Sequence, residues 1–257
     1  MKKYGLIGYP LGHSFSQQYF TEKFKRERIE GCAYSAFPIP DISGLGTLLD
    51  DDSLCGLNVT IPYKEQVIAW LDEQDEVVRQ IGACNCIKID RAADLPGHRR
   101  VRGYNTDVTG FEQSLVGRLR PHHDHALILG TGGAAKAVEY VLLRLGIAYR
   151  HVSRSAPPDS SEAGDGRPLS YRQLDEALLG RYTLIINTTP VGMHPNIDEC
   201  PPLPYEAITS RHYLFDLVYN PAKTLFLQKG EARGATTENG YDMLVIQAEE
   251  SWKIWNA

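Results

Sequence analysis

The chain has 257 residues, 42% of them hydrophobic and 23% charged, with a formal charge of −5. That length allows one large globular domain or two smaller ones. The acidic balance gives no footing for nucleic acid, and no apolar run approaches the ~20 residues that a membrane span needs.

The opening "MKKYGLIGYP" runs straight into a strand-like segment without the longer apolar core of a signal peptide, so a cytoplasmic location is expected. Cys32, Cys55, Cys84, Cys86 and Cys200 are scattered, with no second pair at zinc spacing. They read as small thiols in a reducing compartment, not as metal ligands.

In chain order, residues 1–105 alternate short strands and helices. "YGLIGYP" is a strand, 14–29 a helical stretch, "AYSAFPI" and "CGLNVTIP" strands, and 64–71 a helix. "CNCIKID" then runs through the turn "RAADLPGHRR" into "VRGYNTD", the pattern of a hairpin. From Asp107 a helix leads into a more regular block: strand "ALILG", a helix over 132–146, strand "YRHVSRS", a helix near 171–179, and strands "LIINTTPVG" and "YLFDLVY".

Within the helix over 132–146, Ala134, Val138, Val141, Leu142 and Leu145 share one side, and Gly146 is placed to stop it. Strands separated by helices of this length imply βαβ units and a parallel sheet, hence an α/β fold. The "HHDH" run at 122–125 falls in a connecting loop, and no metal is expected there. A closing helix over 241–255 puts Leu244, Ala248, Trp252 and Trp255 on one stripe with Gln247 beside it. It must dock on one of the two blocks, and periodicity does not choose between them.

Two constellations carry chemistry. In "LNVTIPYK", residues 57–64, strand alternation points Asn58 and Thr60 the same way, with Lys64 at the strand's exit. Ser14 and Ser16 after the first strand, Asn85 after "IGA", and Asn105-Thr106-Asp107 after "RGY" recur at other strand ends, where open α/β sheets bind ligands. Jointly they suit a small hydroxyl-rich ligand; singly, each also reads as a helix cap or a solvated lysine.

The second constellation is "LILGTGGAAKA". Gly130-x-Gly132-x-x-Ala135 follows a strand and opens a helix, the context of a dinucleotide fingerprint, with tight strand-to-helix packing as the plainer reading. The next strand ends in Ser153, Arg154 and Ser155 instead of the acid that NAD would call for. An arginine flanked by hydroxyls suits a 2′-phosphate and favours NADP.

"GYPLGHSFS", "LNVTIPYK", "IGACN", "GYNTD", "LGTGGAAKA", "INTTPVGM", "DLVYNP" and "NGYDMLVIQAEESWKIW" together resemble, in order and over almost the whole chain, the motifs of the shikimate dehydrogenase family. The resemblance implies a two-domain α/β enzyme of the shikimate pathway that reduces 3-dehydroshikimate with NADPH. Residues 1–105 plus 238–257 would form a substrate domain with a mixed sheet, and 106–237 a Rossmann-type NADP domain with a parallel sheet.

By motif, Ser14, Ser16, Asn58, Thr60, Asn85, Asp107, Tyr219 and Gln247 would contact substrate, and Lys64 with Asp107 would form the catalytic pair. Gly130, Thr131, Gly132, Gly133, Ala134, Ser153, Arg154, Ser155, Thr188, Leu217 and Gly240 would hold the cofactor. Small molecules are the only expected partners, on a monomer or homodimer. The chain departs from the family pattern at Gln17-Gln18, at Cys86, and at "SRSAPPDSS", where no second base follows Arg154. The rivals are a quinate/shikimate dehydrogenase using NAD as well as NADP, and a non-catalytic NAD(P)-binding sensor. The sensor would require loss of the Lys64/Asp107 pair, and both residues are present.

Overall fold

The computed structural model describes residues 1–11, 15–91, 99–157 and 167–257. The chain divides into two compact units, Met1–Thr106 with Gln247–Ala257, and Asp107–Ile246. Both are α/β.

The first unit contains β1 (Lys2–Gly8), α1 (Phe15–Arg26), β2 (Cys32–Pro38), α2 (Gly44–Leu49), β3 (Leu54–Val59), β4 (Glu73–Gln74), α3 (Glu76–Ile81), β5 (Cys86–Arg91) and β6 (Arg99–Tyr104). Its sheet runs in the order β2-β1-β3-β5-β6-β4. It is mixed: β1 is parallel to β2 and β3, while β5 is antiparallel to β3 and β6. The expected hairpin is β5 with β6, and its turn at 92–98 lies outside the described residues. The helix expected over 64–71 is a 3₁₀ turn, Gln66–Trp70, with Leu71 already extended. Val67 of that turn is buried, and Ile68, Trp70 and Leu71 pack against the same core cluster.

The closing helix, α8 (Tyr241–Asn256), resolves the docking question for its C-terminal part, which belongs to the first unit. Trp255 stacks on Tyr4 with ring centroids 4.9 Å apart, and Trp252 lies 5.1 Å from Phe24. The Trp255 indole N–H donates to the Ile87 carbonyl at 2.9 Å. This fit requires Gly56: a Cβ there would sit 2.3 Å from Trp255 Nε1. On the α1 side, buried Lys23 reaches Glu249 of α8 at 2.8 Å and Glu27 at 2.9 Å, so its charge is paired where water is excluded.

The second unit contains most of α4 (Thr106–Val116), then β7 (His125–Leu129), α5 (Gly133–Arg144), β8 (Ala148–Val152), α6 (Glu176–Arg181), β9 (Leu184–Asn187), β10 (Tyr213–Asp216), α7 (Leu225–Glu231) and β11 (Thr236–Asn239). Its sheet is parallel throughout, in the order β11-β10-β9-β7-β8. The near-continuous apolar runs "ALIL", "LII" and "YLF" are what a parallel sheet covered on both faces demands. Because the order reverses at β7, the carboxyl ends of β7 and β9 flank a topological switch point.

The helix expected near 171–179 is two elements: a 3₁₀ turn, Tyr171–Gln173, capped by Ser170, and α6, capped by Asp175. Two capping side chains start two helices, and the intervening Leu174 is extended. On α5 the buried face is Ala135, Ala137, Val138, Val141 and Leu142, with Ala134 and Leu145 only half-buried. His122 and His123 of the "HHDH" run both bond the Arg211 carbonyl, and no group of potential metal ligands occurs among the described residues.

One buried carboxylate ties the carboxyl edge of this sheet together. Asp216, the last residue of β10, pairs in register with Asn187, the last of β9. Its Oδ1 accepts from Asn187 Nδ2 at 2.9 Å and from the Val218 N–H at 3.0 Å; its Oδ2 accepts from Thr224 Oγ1 at 2.6 Å. Burial pushes the carboxyl up to about 6, against these three bonds, which pull it down.

Two outcomes follow from this packing. Gly56→Ala should cost about 2 kcal/mol of unfolding free energy in denaturant titrations, because the indole of Trp255 must move; an unchanged midpoint would contradict the close contact. For Asp216, the raised folded-state value means its contribution to stability is present below about pH 4 and lost as pH rises through about 6. Asp216→Asn, which mimics the protonated acid, should therefore gain about 3 kcal/mol on the unsubstituted chain between about pH 4 and about pH 8, two pK units at ~1.4 kcal/mol each. A pH-independent difference would refute this.

Candidate active site

In the first unit, β3 delivers its polar residues into a buried hydrogen-bond network. Asn58 is 4% exposed, so its amide must be satisfied internally. Its Oδ1 accepts from Tyr34 Oη at 2.8 Å, and its Nδ2 donates to Ser251 Oγ at 2.9 Å. Tyr34 also bonds Ser16, and burial holds its hydroxyl far above the usual range.

Asn85 answers from the segment leading into β5. Its Oδ1 accepts from the Thr106 N–H at 2.7 Å, and its Nδ2 donates to Thr106 Oγ1 at 3.0 Å. Thr106 Oγ1 in turn lies 3.4 Å from Gln247 Oε1 and 3.2 Å from Ser251 Oγ. The structure thus brings Ser16, Asn58, Asn85 and Gln247 onto one network.

Thr60 follows directly, its N–H donating to the Ile7 carbonyl at 2.9 Å and its carbonyl accepting from the Tyr63 N–H at 2.9 Å. The Lys64 carbonyl accepts from the Cys84 N–H at 2.7 Å, which fixes this half-buried lysine one residue across from Asn85. Ser14 lies outside the described residues. Asp107, in the first turn of α4, and Tyr219, beyond β10, belong to the second unit; burial raises the Tyr219 hydroxyl. Clustered amides and hydroxyls beside a lysine can bind a polyol and move a proton to or from it.

In the second unit the glycine loop joins β7 to α5. Gly130 has φ +119°, a left-handed conformation, and a Cβ on it would sit 2.6 Å from Thr188 Oγ1. Thr188 holds the loop's base, donating from Oγ1 to the Leu129 carbonyl at 2.8 Å. Thr131 and Gly132 are exposed, Gly133 and Ala134 half-buried, and a Cβ on Gly132 would meet nothing within 4 Å. No side chain caps the N-terminus of α5 at Gly132, so its first-turn N–H groups border open space suited to a phosphate.

At the end of β8, Ser153 Oγ lies 3.0 Å from Ser155 Oγ, with Arg154 exposed between them. Leu217 and Gly240 meet closely: a Cβ on Gly240 would lie 2.2 Å from the Leu217 carbonyl oxygen, and the Leu217 N–H donates to the Asn187 carbonyl at 3.0 Å. The loop, the β8 end, Thr188, Leu217 and Gly240 all lie at the carboxyl edge of one sheet.

Several supporting residues escaped the reading of the sequence: Tyr34 and Ser251 in the first unit, and Asn187, Asp216 and Thr224 in the second; Thr106 was among the strand-end polar groups it singled out. Ser251 could have been found, since it stands one helical turn after Gln247, and so could Asn187 and Asp216, polar residues ending two apolar strands. Tyr34 carries no such signal.

Known proteins align with this chain over nearly its whole length. The family model described as the shikimate dehydrogenase substrate binding domain matches residues 6–87. A shikimate dehydrogenase (NADP(+)) of Carboxydothermus hydrogenoformans is 36% identical over 98% of this chain and 90% of its own. Among solved structures, shikimate 5-dehydrogenase from Thermus thermophilus, in complex with NADP(H) and shikimate, superposes with a TM-score of 0.81 at 28% identity, over 99% of this chain and 93% of that one. Quinate dehydrogenase from Corynebacterium glutamicum, in complex with NAD, superposes with a TM-score of 0.82 at 27% identity, over 99% and 93%. With the two-unit α/β architecture and the ordered motifs matched from end to end, this chain belongs to the shikimate dehydrogenase family.

Proposed function

We propose that the chain is an NADP-dependent shikimate dehydrogenase, catalysing the reversible reduction of 3-dehydroshikimate to shikimate on the route to chorismate and the aromatic amino acids. The observation that carries this reading is the network joining Ser16, Asn58, Asn85 and Gln247 beside Lys64. A ligand rich in hydroxyls needs donors and acceptors already held in place, and amides held by Tyr34, Thr106 and Ser251 offer both.

The first unit is the substrate domain, with Ser14, Ser16, Asn58, Thr60, Asn85 and Gln247 as ligand contacts; Tyr219 and Asp107 are assigned to the substrate as well. NADPH, when bound, supplies the hydride that reduces the ketone. Gly130 to Ala134 would hold its diphosphate, Ser153, Arg154 and Ser155 its 2′-phosphate, and Thr188, Leu217 and Gly240 would contact the cofactor too. Lys64 donates a proton to the oxygen on which negative charge grows and retakes it in the reverse direction. Asp107 completes the catalytic pair with Lys64. Five free cysteines support a reducing, cytoplasmic setting, and no helix among the described residues is long and apolar enough to cross a membrane.

A second reading, dual use of NAD and NADP with quinate accepted, draws on one observation: no second base follows Arg154 within "SRSAPPDSS". Lys64→Ala should lower kcat by roughly 100-fold or more while the affinity for NADPH stays within a factor of two; steady-state kinetics that leave kcat unchanged would remove Lys64 from proton transfer. Arg154→Ser should raise KM for NADP⁺ by about tenfold or more and leave KM for NAD⁺ unaltered, the loss of one charge-assisted phosphate contact. Equal effects on both cofactors would show that Arg154 does not read the 2′-phosphate.

A further inference from the structure

Behind the glycine loop lies a hydrogen-bonded chain that no part of the proposed chemistry uses. Tyr149 and His151, two apart on β8, share a face of the strand. Tyr149 Oη donates to Glu139 Oε1 of α5 at 2.5 Å. His151 Nε2 lies 3.1 Å from Glu139 Oε2, and His151 Nδ1 lies 2.8 Å from the Gly130 carbonyl oxygen. One imidazole therefore connects the helix, the strand and the first glycine of the loop.

We infer that His151, held by Glu139, is a positioning residue for the dinucleotide diphosphate. This rests on the cofactor reading above and assigns a residue to it. The carbonyl oxygen of Gly130 can only accept, so Nδ1 must be the donor. In a trans peptide the carbonyl and the following N–H point in opposite directions. Pinning the Gly130 oxygen toward His151 therefore turns the Thr131 N–H to the other side of the loop.

Gly130 needs such a restraint. Its φ of +119° is open to glycine because glycine is permissive, and the same permissiveness lets an unrestrained loop leave that conformation. Thr188 fixes the base of the loop through the Leu129 carbonyl, one residue earlier, and leaves the Gly130 peptide plane to His151. The carboxylate of Glu139 faces the other ring nitrogen, so the imidazole is held from the helix side as well. The far oxygen of that carboxylate is held by Tyr149.

The test is a set of NADPH titrations followed by cofactor fluorescence, run with melting temperatures and with kcat at saturating cofactor. His151→Asn keeps a donor near the Nδ1 position, whereas His151→Leu removes it. The Leu variant should raise Kd for NADPH about tenfold, the scale of one hydrogen bond to an ordered loop, with kcat unchanged. The Asn variant should bind within about threefold of the unsubstituted chain.

NADPH bound by the Leu variant as tightly as by the unsubstituted chain would overturn the role of His151. So would equal losses of affinity in both variants accompanied by equal drops in melting temperature, which mark a merely structural residue. Failure of the unsubstituted chain to bind NADPH would instead overturn the cofactor reading itself, and the positioning role with it.

Discussion

The first unit depends on one buried amide. Asn58 sits in the middle of a mixed sheet, where an unsatisfied amide would cost about 1–3 kcal/mol, and each end of it is met from a different element: Tyr34 of β2 and Ser251 of α8. Thr106 then joins Ser251 to Asn85, so a strand, a loop and the closing helix share one set of hydrogen bonds. The helix is held in register by apolar contact as well, with Trp255 lying on the glycine face of β3. What looks like a polar flaw in the strand is the point at which the unit is assembled.

The second unit solves a different problem with similar means. A parallel sheet buries both faces, leaving its carboxyl edge as the place where polar groups gather. There Asp216 and Asn187 end adjacent strands and bind the backbone that follows, so the turns carrying Thr188 and Leu217 are fixed from beneath. The Gly130 peptide is fixed from the side by His151. Loops that would hold a cofactor thus rest on buried side chains that need not touch it.

Much of this was legible in the residues. The two blocks, the hairpin, the glycine loop, the stop at Gly146 and the closing helix all follow from periodicity and punctuation. Asn58 and Thr60 announce themselves by alternation. The misreadings have physical causes. The expected helix at 64–71 is a 3₁₀ turn that ends at the extended Leu71, and the one near 171–179 broke where a second capping residue starts a new helix. The short elements α2, α3, α7 and β11 offer four to seven residues each, too few for a period to register. Tyr34, which holds Asn58, was hidden because it comes from β2, 24 residues away.

The central claim is most directly tested by following reduced-cofactor absorbance with purified protein and shikimate, with NADP⁺ and NAD⁺ side by side. The account predicts shikimate-dependent reduction of NADP⁺, with NAD⁺ much slower. No reduction of either cofactor by the folded protein would contradict it.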